Sequence, residues 1–216
     1  MYRKKFTRRN SNRSVVGPTI VCLDLEGVLT PEVWINVAKK TKIKELMLTT
    51  RDIPNYNTLM KHRLKLLDKN KISLKLIQKV IAGLKPLPGA KKFLDWLRNQ
   101  IQVIILSDTY YEFAKKFMEQ LGLPTLFCHS LEINNKNMIT GYKLRIKDSK
   151  RKAVKSLKKI GFKVIAVGDS FNDVTMLKAA DIGIFYKPPK NIAKKFPKFL
   201  VTNNYNQLKK KLSKII

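Results

Sequence analysis

Acidic side chains are scarce in this sequence: 15 Asp and Glu stand against 45 Lys and Arg in 216 residues, a formal net charge of +30. Cysteine is scarcer still, with only Cys22 and Cys128. Two cysteines in separate apolar stretches exclude a disulfide framework and offer no metal-binding spacing, so both read as small buried hydrophobes in a reducing, cytoplasmic compartment. Long hydrophobic runs are absent. The longest, around Val103 to Leu106 and Val164 to Val167, have the length of strands and fall far below the roughly 18 residues that span a bilayer, so no membrane partner is expected. The basic excess is mostly lysine, 36 against 9 arginines, and is scattered over nearly every segment. Such scatter reads as a compositional bias giving a solvated basic surface. It would attract small anions without defining a nucleic-acid site.

The hydrophobic content is 44%, ordinary for a packed core, and the length suits one domain with a modest insertion. Residues 1–18 are basic, lack acids and end at Gly17-Pro18, which predicts a disordered basic tail. From Thr19 the pattern alternates. Apolar strands are expected at 19–23, 103–106 and 164–167, with shorter ones near 125–128, 182–185 and 199–202. Amphipathic helices are expected at about 90–100, 111–121, 150–160 and 173–180, with a basic one from about 205. Strand–helix alternation at this spacing predicts an α/β fold, a Rossmann-like three-layer parallel sheet core over 19–32 and 84–216. Residues 33–83 interrupt it with helical periodicity and no clear strand, so they form a small helical cap inserted into the core.

Three of the apolar strands run into residues of catalytic type: Asp24, Ser107-Asp108 and Gly168-Asp169. In a parallel sheet the carboxyl ends share one edge, where ligands bind. Asp24, Ser107 and Asp169 should therefore meet. Two carboxylates brought together repel unless a divalent cation lies between them, and a hard oxygen donor set suits Mg²⁺. A carboxylate can also accept a phosphoryl group as nucleophile, with a hydroxyl and a lysine steadying the remaining phosphate oxygens.

Here the sequence resembles the haloacid-dehalogenase-type phosphatases. Their motifs occur in order as Asp24-Leu25-Glu26-Gly27-Val28, Ile105-Leu106-Ser107-Asp108, Lys150 at a helix start, and Gly168-Asp169-Ser170-Phe171-Asn172-Asp173. Within that superfamily it is similar to the phosphoserine phosphatases, and more closely to the bacterial phosphoserine phosphatase/homoserine phosphotransferase branch. Thr50-Arg51-Asp52-Ile53-Pro54 and Leu84-Lys85-Pro86-Leu87 add to that likeness. The resemblance implies an enzyme using Mg²⁺ and acting on O-phospho-L-serine in serine and threonine biosynthesis, with homoserine as a further acceptor. It implies Asp24 as nucleophile, Glu26 as acid and base, and Ser107 and Lys150 on the phosphate. The metal would be held by Asp24, the Glu26 carbonyl and Asp169, with Asp173 in support. Substrate would be held by Glu32, Arg63, Ser107, Asp108, Lys150 and Asn172, with Glu32 reading the ammonium and Arg63 the carboxylate.

Most of the superfamily has Asp where this chain has Glu26. The added methylene moves the proton-transfer oxygen by about one bond length, enough to matter for rate, and is read as an adjustment toward an alcohol acceptor. Other residues read plainly. Asp148 and Ser149 are helix caps, Arg51 and Asp52 a surface turn or hinge, and Trp34 a packing residue at the cap. His62 and His129, with no acid or nucleophile pattern around them, are structural. Other readings are the same chemistry on a different small phosphate ester, or a basic nucleic-acid-binding protein on the same fold. A homodimer is compatible with the sequence.

Overall fold

The computed structural model describes residues 18–50, 52, 53 and 55–216. The expected tail, apart from Pro18, lies outside the described residues, as do Arg51 and Pro54. A sheet of seven strands runs in the order β4-β3-β2-β1-β5-β6-β7. The strands are β1 (Thr19–Leu23), β2 (Gln102–Tyr110), β3 (Leu126–Ile133), β4 (Ile139–Lys143), β5 (Lys163–Gly168), β6 (Ile182–Tyr186) and β7 (Leu200–Thr202). All neighbouring pairs are parallel except β3 with β4.

β1 is central, and its TIVCL run is apolar at almost every position because both of its faces are covered. The side chains alternate between two clusters. Val21 and Leu23 join Ile105, Ile165 and Val167 on one face. Ile20 and Cys22 join Val164, Ala166 and Phe185 on the other. The first face carries α4 (Ala90–Arg98), α5 (Tyr111–Gln120) and α9 (Tyr205–Leu212). The second carries α6 (Ser149–Lys159), α7 (Val174–Ala179) and α8 (Lys190–Lys195). This is the three-layer arrangement expected. Cys22 is fully buried, and burial pushes its thiol up to about 12, so it behaves as a small hydrophobe.

Between β1 and α4 lie α1 (Val33–Thr41), a 3₁₀ turn (Lys44–Met47), α2 (Tyr56–Lys69) and α3 (Leu74–Ala82). Their buried residues Val37, Met60 and Ile77 are continuous with the first-face cluster, and Trp34 meets Phe113 edge to face at 5.6 Å. α2 and α3 begin on Asn55 and Ser73, whose side chains accept the backbone N–H of Thr58 and Leu76.

Three expectations are corrected. β4 was not anticipated; its ITGYK sequence mixes polar and apolar residues around a glycine and, among the described residues, pairs only with β3, antiparallel. β2 does not stop at Leu106 but continues through Ser107 to Tyr110, with an irregular register against β3. Asp148 occupies the N-cap position of α6 but makes no capping bond. It adopts a left-handed φ of 56°, and its carboxylate pairs with Arg151.

Candidate active site

β1 and β5 are parallel neighbours with Leu23 level with Val167. From β1 the sheet grows one way through β2, and from β5 the other way through β6. Their carboxyl ends therefore open a crevice at a switch point of the sheet. Asp24 follows β1 directly, its N–H donating to Val167 O at 2.9 Å. The chain then turns sharply, and Gly27 takes a φ of +81°. A side chain there would be strained, and its Cβ would fall 2.4 Å from Asp169 Oδ2. The turn is pinned from the far end of the chain. Tyr205 stacks on Phe93 and Tyr186, with ring centroids 5.0 and 4.9 Å away, and its hydroxyl donates to Val28 O at 2.6 Å.

Lys150, at the start of α6 and 4% exposed, sits among three carboxylates. Its Nζ is 2.8 Å from Asp24 Oδ1, 2.7 Å from Asp173 Oδ1 and 3.7 Å from Asp108 Oδ2. Burial alone would lower its pKa, but Asp173, Asp24 and Asp108 together hold it well above the usual lysine value. Asp24 is raised well above the ordinary carboxylate range, first by burial and then by the charge of Asp173, against the pull of Lys150. Asp24, Asp169 and Asp173 each bring a carboxylate oxygen within 4.8 Å of the others. Asp173 is committed on both oxygens. Oδ1 takes Lys150, while Oδ2 accepts the N–H groups of Asp169 and Ser170, both at 3.1 Å, and the Ser170 hydroxyl at 3.0 Å. It therefore both caps the short turn Phe171–Asp173 and positions Lys150.

Ser107, 3% exposed, turns its Oγ to accept the Thr109 N–H at 3.2 Å. Glu26 is half-buried, and its Oε2 accepts the Val33 N–H at 2.9 Å. Burial first, and then the neighbouring charge of Glu32, push the Glu26 carboxyl up to about 7, against the Val33 N–H and the Thr109 hydroxyl. A group with that value can give and take a proton near neutrality.

Asp24, Glu26, Ser107, Asp108, Lys150 and Asp169 line a cavity of about 280 Å³ together with Glu32, Trp34, Tyr56 and Arg63. Arg63 is 6% exposed. Its guanidinium lies 4.5 Å from the centre of the Trp34 ring and donates from Nη2 to Leu48 O at 2.8 Å. Its Nε has no partner among the described residues. Burial lowers its pKa.

The cavity thus gathers nine of the ten residues singled out from sequence, with Asp173 buried behind them. Asp108 is a junction. Burial would raise its carboxyl, but Lys150 and the bonds from His129 and Asn172 hold it well below the usual range. Two neighbours were missed. Thr109 bonds Glu26, and the sequence signal for it was its spacing of two from Ser107 along one strand. His129 was read as structural, yet its Nε2 lies 3.5 Å from Asp108 Oδ1.

An acid at the end of a central parallel strand, a lysine bridging it to an acid in the turn after the neighbouring strand, and inserted helices that line the same cavity define a class. The chain belongs to the haloacid dehalogenase-like hydrolase family, whose profile matches residues 18–181. Among known proteins it is similar to phosphoserine phosphatase ThrH of Pseudomonas aeruginosa, at 53% identity over 195 residues, covering 90% of this chain and 95% of that one. It is 51% identical over 195 residues to a phosphoserine phosphatase of Pseudomonas syringae pv. tomato, covering 90% of this chain and 82% of that protein. Its fold is similar to a solved phospho-aspartyl intermediate analogue of phosphoserine phosphatase, with a TM-score of 0.73 at 20% identity over 91% of this chain and 98% of the other.

Among the described residues no helix is long and apolar enough to cross a membrane.

Proposed function

We propose that the chain is a Mg²⁺-dependent phosphoserine phosphatase that works through a phosphoaspartate on Asp24. The observation that carries this is the cavity itself. It brings a nucleophilic carboxylate and Lys150 into one cavity with an acid and an arginine suited to an amino acid's ammonium and carboxylate. Its two relatives at about half identity both carry the name phosphoserine phosphatase. The donor set suits Mg²⁺, since Asp24 and Asp169 bring hard carboxylate oxygens close together, and the Glu26 carbonyl would add a third. Bound there, the metal would offset the paired carboxylates and the charge of the phosphate.

The residues of the chain divide the work. Asp24 forms a bond to phosphorus as the bond from phosphorus to the serine oxygen breaks, and Glu26 gives that oxygen its proton. Water then attacks phosphorus, the bond to Asp24 breaks, and Glu26 takes the proton back. Ser107 and Lys150 hold the phosphate oxygens in both steps, while Asn172 and Asp108 border them. Residues 33–83 act as a cap that excludes bulk water from the acyl phosphate.

Serine leaves behind a site that still reads ammonium and carboxylate. Homoserine carries the same groups with one more methylene, so it is the acceptor that competes with water. Incubation with phosphoserine, Mg²⁺ and homoserine should yield phosphohomoserine beside free phosphate. Free phosphate alone would restrict the enzyme to hydrolysis.

Amino-acid recognition is tested at Arg63. A hydrogen bond to a charged group contributes about 1.5–3 kcal/mol, so Arg63→Ala should raise KM for phosphoserine by about 10- to 100-fold. KM for an aryl phosphate, which has no carboxylate to place, should move far less. Equal losses on the two substrates would point to a different small phosphate ester.

A further inference from the structure

We infer that His129 is a positioning residue for the phosphate end of the site, acting through Asp108. This rests on the reading above that Lys150 holds the phosphate oxygens and Asn172 borders them. His129 stands on β3 opposite Tyr110 of β2, and is 5% exposed. Its Nδ1 accepts the backbone N–H of Arg145 at 3.1 Å. A nitrogen that accepts cannot carry the ring proton, so that proton sits on Nε2. Nε2 faces Asp108 Oδ1 at 3.5 Å. The backbone of the Arg145 loop thus sets which way the imidazole donates.

The two oxygens of Asp108 have different neighbours. Oδ1 meets His129 and, at 3.5 Å, the Ser149 hydroxyl. Oδ2 accepts from Asn172 Nδ2 at 3.3 Å and lies 3.7 Å from Lys150 Nζ. One oxygen is anchored in the protein, and the other borders the cavity. Without the His129 donor the carboxylate is held back less firmly against the attraction of Lys150. It then swings toward the ammonium and draws it from Asp24 and Asp173, while Asn172 loses its fixed acceptor. Packing alone would have been served by any apolar side chain of similar size. It does not account for a ring whose donor is directed, by a backbone bond, at the one carboxylate shared by Lys150 and Asn172.

The test compares His129→Leu, His129→Gln, Asp108→Asn and the double variant His129→Leu/Asp108→Asn in the full chain with Mg²⁺. A displacement near 1 Å costs about 10²-fold. A carboxylate that keeps three of its four side-chain partners moves less, so His129→Leu should lower kcat/KM by about 10-fold. The loss should be equal on phosphoserine and on an aryl phosphate, because the phosphate end is affected. His129→Gln, whose amide nitrogen takes the place of Nε2, should recover most of the rate. The double variant should be no slower than Asp108→Asn, since interacting residues are non-additive. If the two losses multiply, or Gln is as slow as Leu, His129 does not act through Asp108. If the Leu variant does not fold, Gln is compared with His129→Asn, whose amide reaches only the Nδ1 position. Asn should be the slower, and the reverse order overturns the inference. An Asp108→Asn enzyme as fast as wild type would remove both this inference and the reading of the phosphate end. A slow Asp108→Asn with multiplying losses would remove His129 alone.

Discussion

Asp24→Asn is expected to lower phosphoserine turnover by at least about 10⁴-fold, the scale seen when a nucleophile is removed from a preorganised site. The loss should fall on kcat, because the amide keeps the shape of the carboxylate but cannot form the acyl phosphate. No acid-stable label should appear on the protein after a brief exposure to labelled phosphoserine, whereas wild type should trap it. The fold should survive. Asp24 Oδ1 accepts the Leu25 N–H at 2.7 Å and Lys150 at 2.8 Å, and an amide oxygen can accept both. Stability of the metal-free variant should even hold or rise. The native carboxylate sits in a buried group of acids that already raises its pKa, so neutralising it relieves repulsion. A labelled Asn variant, or turnover within tenfold of wild type, would remove Asp24 as nucleophile.

How much of this was legible in the sequence depends on how local each signal is. β1, β2 and β5 announced themselves because buried parallel strands read as continuous apolar runs, and each run met a polar residue of catalytic type. The convergence of Asp24 and Asp169 then followed from the one edge that the carboxyl ends of parallel strands share. β4 did not announce itself, since an edge strand with one partner needs no apolar run. Ser107 was placed just past a strand end but lies inside β2, where the polar stretch Ser107–Thr109 enters the cavity while the backbone remains extended. The contact of His129 with Asp108 depends on the register between β2 and β3, which is irregular at that point. Glu32 reaches Glu26 because α1 begins beside the turn after β1 and Val33 donates to Glu26. Asp173 was expected only in support of the site. Its two oxygens divide between Lys150 and the Asp169 N–H.

Lys150→Met is the harsher change. Lys150 and Asp173 are 4% and 0% exposed, and Asp24 is 4% exposed, so removing the ammonium leaves buried carboxylates without their counter-charge. Breaking a buried pair on one side costs about 3–5 kcal/mol, a large share of the roughly 5–15 kcal/mol that holds a domain folded. The variant should therefore unfold at distinctly lower urea concentration, and phosphoryl transfer should be lost as well. The pH dependence has a defined sign. Asp24 already has a folded pKa raised above its unfolded value, and losing Lys150 raises it further. A carboxyl shifted upward is stabilising below its unfolded pKa, and that contribution disappears as pH rises through the folded value. The gap in unfolding free energy between wild type and Lys150→Met should therefore widen from acid toward neutral pH and narrow on acidification, as the carboxylates take up protons. Urea titrations of metal-free protein across that range measure it. A gap that stayed flat with pH would mean that Lys150 contributes packing and little charge. A gap below about 1 kcal/mol, the scale of exposed pairs, would mean that water reaches these carboxylates and compensates them without it.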